Sequence, residues 1–91
     1  MNNITVFGAD WCEDTHRTRH RLDLHGVPYD YVDVDRDEAA NHLITRQNNG
    51  KRKTPTVDLN GKFLIEPTDP ELDAALRSAG LIGEAHEQSA S

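Results

Sequence analysis

Apolar residues come in short blocks separated by polar ones, and the spacing inside each block predicts its element. ITVFG, Ile4 to Gly8, alternates β-branched and aromatic residues and stops at glycine, which is the pattern of a short strand. From Glu13 to His25 neither proline nor glycine intervenes, and Thr15, Thr18 and Leu22 fall at i, i+3 and i+7. That spacing predicts a helix with one inward face, ended by Gly26. VPYDYVDVD places Val32 and Val34 on one side and Tyr29 and Tyr31 on the other, a second strand reached by one helical crossover, hence a βαβ unit.

The second half continues the pattern. Asp35 or Asp37 can cap a helix with Ala40, Leu43 and Ile44 inward, which fails at NNG. TPTVDLNGKFLIEP reads as two short strands joined by Asn60-Gly61, the two-residue signal of a tight antiparallel hairpin. A last helix is predicted to open with Asp69 as N-cap, Pro70 at N1 and Glu71 in the first turn. It carries Leu72, Ala75, Leu76 and Ala79 inward and closes at Gly80. EAHEQSAS has no apolar periodicity and is predicted to be tail. The order β-α-β-α-β-β-α, with a right-handed crossover, makes the first two strands parallel and adds the hairpin antiparallel to the same sheet, a small α/β sandwich. One domain over residues 1–82 and a flexible tail over 83–91 are expected.

Composition narrows the function. Sixteen acidic against ten basic side chains give a net charge of -6, which opposes binding to nucleic acid or anionic lipid. No apolar run approaches the roughly 18 residues of a membrane span, and MNNITVFG has no export signal, so the expected compartment is the cytosol. The single cysteine rules out an internal disulfide. It stands in ADWCEDT, directly after the first strand and at the start of the first helix, where helix-terminal N–H groups favour a thiolate. Three fates are open to such a thiol: nucleophile, metal ligand or buried small residue. A helix dipole, worth about 0.3 to 1 kcal/mol, lowers the thiol pKa by around one unit at most, whereas Asp10, Glu13 and Asp14 push it upward by comparable amounts. Modest activation is expected.

With that element order in hand, the chain resembles the thioredoxin superfamily, and within it the glutaredoxins, over residues 3 to about 82. WCEDT occupies the place of the W-C-x-x-C redox motif, and TPTV matches the loop whose cis-proline faces the thiol. NNGKRKTPTVDLNGKFLIEPTDPEL looks most like the mycoredoxin-like, monothiol members. The resemblance implies a thioredoxin-like (glutaredoxin-type) fold with a four-stranded mixed sheet, and thiol–disulfide exchange by Cys12 with Thr15 at the resolving position. Thr15 has no sulfur, so an external thiol must complete the cycle. Pro55 is expected cis and Thr54 is expected to offer its backbone to a bound thiol. Trp11 would form an aromatic wall, Arg52 would hold a carboxylate-bearing thiol, and Thr68 and Asp69 would grip an anionic group at a helix start. No permanently bound cofactor is implied; the cosubstrate is glutathione or mycothiol, the partners are thiol-modified proteins, and the expected state is a monomer. The chain departs from glutathione-binding members at Ala9, where they carry lysine, and at Glu66-Pro67, where they carry a glycine pair.

Other readings accompany this one. Cys12, His16 and His20 lie at i, i+4 and i+8 and could share a metal ion. Monothiol glutaredoxins also bridge a [2Fe–2S] cluster between subunits, although Glu13 and Asp14 would repel an anionic cluster here. A third reading keeps the fold as a non-catalytic interaction module with an inert Cys12.

Overall fold

The apolar blocks fold into the predicted sequence of elements. In the computed structural model, residues 3–83 are described. They form β1 (Ile4–Gly8), α1 (Glu13–Leu24), β2 (Asp30–Asp33), α2 (Glu38–Gln47), β3 (Thr56–Leu59), β4 (Lys62–Ile65) and α3 (Asp69–Ser78). The residues beyond 83, and with them all of the expected tail but Gly83, lie outside the described residues. Among the described residues no helix is long and apolar enough to cross a membrane.

The sheet order is β2-β1-β3-β4, with β1 and β2 parallel and the β1/β3 and β3/β4 pairs antiparallel. Strand periodicity divides the side chains between two faces. Ile4, Val6, Val57 and Leu59 pack with Leu22 of α1 and Leu72 and Leu76 of α3, and Tyr29 and Tyr31 lean against this cluster. Phe7 and Val34 meet Ala40 and Ile44 of α2 on the opposite face, joined by Val32, Leu43 and Phe63. The two valines and two tyrosines of the second strand therefore face as their alternation predicted. Asn60 (φ 55°) and Gly61 (φ 93°) are both left-handed, as the two-residue turn between β3 and β4 demands.

Caps explain most of the boundaries. Asp37 accepts from the Ala40 N–H at 3.0 Å and starts α2. The expectation of Asp69 as cap of the last helix is corrected: Thr68 is the N-cap and Asp69 the first helical residue. Thr68 Oγ1 accepts from the Glu71 N–H at 3.2 Å, and Glu71 Oε1 accepts from the Thr68 N–H at 2.8 Å. This reciprocal box satisfies two orphan donors at once, an advantage that Asp69 and its neighbours do not offer. Ala79, expected inward, is exposed because the helix ends at Ser78.

One buried charge joins the two helices that share a face. Asp73 of α3 is only 8% exposed. Its Oδ1 accepts from Arg21 Nε at 3.0 Å and lies 2.8 Å from His25 Nε2 at the end of α1, while its Oδ2 meets Arg21 Nη2. The Arg21 guanidinium outweighs the cost of burial and, with help from His25, holds the Asp73 carboxyl at about 2, against its ordinary 3.8. A carboxyl depressed in the folded state stabilises fully above its unfolded pKa and loses that contribution as pH falls through the folded value. Asp73→Asn should therefore cost about 1–2 kcal/mol at pH 7, allowing for the partial exposure of Arg21. Urea unfolding of both proteins at pH 7 and in steps down to pH 2 checks this: the gap should narrow from about pH 4 downward.

Candidate active site

The site is built where β1 hands over to α1. Gly8 ends β1 against Thr15: a Cβ there would stand 2.4 Å from Thr15 Cγ2 and 2.7 Å from Oγ1, so only glycine fits. Thr15 is fully buried, and its Oγ1 accepts from the buried Ala9 N–H at 3.3 Å. A tight turn then closes with the Cys12 N–H on the Ala9 carbonyl at 3.0 Å, which throws Trp11 outward and leaves Cys12 as the N-cap of α1.

Cys12 is half-buried. Its Sγ lies 3.8 Å from the Thr54 carbonyl oxygen, and the Thr54-Pro55 peptide bond is cis. Burial is the largest single influence and raises the thiol pKa; the side chains of Thr15 and Thr54 and the backbone N–H groups of Thr15 and Asp14 together reverse it and leave the pKa below the ordinary thiol value. The backbone at the helix end thus adds to neighbouring side chains in favouring the thiolate. Two of the three acidic neighbours have partners nearby. Asp10 accepts from the Tyr31 hydroxyl at 2.8 Å, and Asp14 lies 3.6 Å from Arg17.

Trp11 is 71% exposed, so it is not part of the packed interior. Its indole N–H donates to Asp35 Oδ2 at 2.8 Å, and the other oxygen of Asp35 is paired with Arg52. Arg52 first and Trp11 second hold the Asp35 carboxyl below its ordinary value. The Val34 N–H donates to the Gly8 carbonyl at 2.9 Å, so the exits of β1 and β2 stay side by side and Asp35 falls next to the Trp11 turn. Asp35 was considered in the sequence only as a helix cap; its contacts, 24 and 17 residues away in the chain, carry no local signal. Asp35 and Arg52 also border a cleft of about 380 Å³ with Val34, Arg36, Glu38 and Asn41. Asn41 Oδ1 is buried there without a hydrogen-bond partner.

The Glu66 N–H donates to the Pro55 carbonyl at 2.8 Å and so draws the entrance of α3 toward the Thr54-Pro55 loop. Glu66 itself has φ 48°, a conformation that glycine takes freely and glutamate takes at a cost of about 1 kcal/mol. Thr68 follows on this edge, but its N–H is already held by Glu71, so an anionic ligand would have to displace that carboxylate. The metal-site alternative fares poorly. His16 Nε2 is engaged by the Asp10 carbonyl, and no group of three His, Cys, Asp or Glu among the described residues is arranged to hold a metal ion, so Cys12, His16 and His20 are not brought together.

Comparison with known proteins agrees with this geometry. The Glutaredoxin family model matches residues 4–64. Mycoredoxin 1 of Corynebacterium glutamicum is 40% identical over 79 residues, spanning 86% of this chain and 98% of that protein. A protein of Mycobacterium tuberculosis named as a glutaredoxin is 31% identical over 74 residues, 80% of this chain and 88% of its own. The crystal structure of a glutaredoxin from Archaeoglobus fulgidus superposes with a TM-score of 0.69 at 21% identity, over 85% of this chain and 88% of that one. The fold is thioredoxin-like, a mixed four-stranded sheet with three helices. Within that class the chain belongs to the glutaredoxin family.

The role of the Thr15 hydroxyl can be separated from its shape. Thr15→Val keeps the volume against Gly8 and removes the hydroxyl, so the Cys12 pKa should rise and alkylation by iodoacetamide at pH 7 should slow by up to about tenfold. Thr15→Ser should keep the wild-type pH profile. The Ala9 N–H left unpaired in Thr15→Val should also lower stability by about 1–3 kcal/mol, read by urea unfolding.

Proposed function

We propose that the chain is a thiol–disulfide oxidoreductase that reduces mixed disulfides between proteins and a low-molecular-weight thiol, using Cys12 alone. The observation that carries this reading is a half-exposed Cys12 Sγ with a lowered pKa, 3.8 Å from the carbonyl oxygen of the cis Thr54-Pro55 peptide. Cys12 thiolate attacks the small-thiol sulfur of the mixed disulfide, forms a Cys12–small-thiol disulfide and releases the protein thiolate, which takes a proton. A second small-thiol thiolate then attacks that adduct, regenerating Cys12 thiolate and leaving as the symmetric disulfide. Thr15 cannot replace this external thiol, because its hydroxyl forms no disulfide, and the sequence contains no other cysteine.

In this scheme Thr15 and Thr54 stabilise the thiolate, Trp11 and Arg52 flank the incoming disulfide, and Pro55 shapes the loop that receives it. Thr68 and Asp69 contribute the helix start beside the Thr54-Pro55 loop. The similarity to Mycoredoxin 1 favours mycothiol over glutathione as the thiol. In this reading the protein acts as a cytosolic monomer on thiol-modified proteins, and its acidic charge opposes binding to nucleic acid or anionic membrane.

The test is intact mass after mixing the reduced protein with mycothiol disulfide or glutathione disulfide at pH 7. One thiol adduct per chain should form, vanish on addition of the free thiol, and be absent in Cys12→Ser. No adduct on the wild-type protein with either disulfide would refute the reading.

A further inference from the structure

Asp35 is a single carboxylate that holds two other residues of the site, one with each oxygen. Oδ2 accepts from the Trp11 indole at 2.8 Å, and Oδ1 is ion-paired with Arg52. Trp11 immediately precedes Cys12, and Arg52 lies two residues before Thr54, whose carbonyl faces the sulfur. The carboxylate, arriving from the segment after β2, therefore bridges the two segments that meet at Cys12. Trp11 is 71% exposed and so has little packing to fix its ring; the hydrogen bond to Asp35 sets its orientation. Arg52, with about a third of its side chain exposed, has its charge cancelled by the same group.

We propose that Asp35 is a positioning and selectivity residue: it clamps Trp11 as one wall of the thiol site and masks the Arg52 guanidinium, so that the site disfavours anionic disulfides relative to neutral ones. This rests on the oxidoreductase reading of Cys12 for its kinetic half and is independent of it for its structural half. With Arg52 masked, an anionic disulfide approaching Cys12 meets the carboxylates of Asp10, Glu13 and Asp14, of which Asp14 has only a loose partner at 3.6 Å. A neutral disulfide feels none of this. The chemical step is unchanged in either case: the Cys12 thiolate attacks one sulfur of RS–SR, the Cys12–SR bond forms, and RS⁻ leaves and takes a proton from water. An ion pair this exposed is weak and exchangeable, so a ligand anion can compete for Arg52 at a penalty that removal of Asp35 would abolish.

Trp11 is the only tryptophan of the chain, so its fluorescence reports the clamp without any assay of activity. Asp35→Ala should shift the emission and raise quenching by acrylamide, while Asp35→Asn, which still offers an oxygen to the indole, should stay close to wild type. The rate of Cys12 adduct formation is then measured by mass with glutathione disulfide as the anionic probe and bis(2-hydroxyethyl) disulfide as the neutral one. In both variants the anionic-to-neutral rate ratio should rise by about threefold to tenfold at low salt, and the gain should shrink at high salt. Adding Arg52→Gln to either variant should abolish it. Far-UV circular dichroism confirms that each variant is folded. Unchanged emission and quenching in Asp35→Ala overturns the clamp, and an unchanged rate ratio in both variants overturns the selectivity. If the wild-type protein forms no adduct with either probe, the oxidoreductase reading and the selectivity that rests on it both fall, and the emission alone decides the clamp.

Discussion

The contact between Gly8 and Thr15 fixes everything that happens around the sulfur. A glycine at the end of β1 lets α1 approach the sheet until a threonine side chain fills the space that a Cβ would need. That approach decides where the helix begins and hence where Cys12 stands. The same threonine takes the Ala9 N–H, so the turn between strand and helix cannot loosen without stranding a buried donor. Thr15 thus joins packing, turn geometry and the surroundings of the thiol in one residue.

The electrostatics of the site are governed by local partners. The density of negative charge around Cys12 limits the activation expected from the helix end to a modest one, and the thiol pKa is indeed lowered. In the folded chain Asp10 is taken up by Tyr31 and Asp35 by Trp11 and Arg52, whereas Thr15, Thr54 and the backbone of Thr15 and Asp14 lower the Cys12 pKa from close by. Short-range hydrogen bonds fall on the sulfur itself, while exposed carboxylates act through solvent and are screened.

Local periodicity made the fold readable. The inward faces of α1 and α2, the division of valines and tyrosines over residues 29–34, and the left-handed pair at Asn60-Gly61 all follow from spacing within a few residues. The boundary of α3 was misjudged because Thr68 and Asp69 are both good caps. The choice turns on the position of Glu71 three residues after Thr68, which lets Thr68 and not Asp69 complete a reciprocal box. Asp73 sits among apolar positions with nothing nearby in the sequence to announce Arg21 and His25 as its partners. Asp35 likewise acquires its contacts only after β1 and β2 align. Such residues, defined by what comes to them across the fold, are invisible to periodicity.

The tie between Asp73, Arg21 and His25 also apportions rigidity. It rivets α1 to α3, so the helix that begins at Cys12 is anchored at its far end as well as at Thr15. Its neighbour across the sheet, α2, rests on a smaller apolar cluster and leads into the loop that carries Arg52. Breathing motions that admit a bulky visitor should accordingly originate on the α2 side, with the sulfur as the stationary jaw and the loop before Pro55 as the moving one.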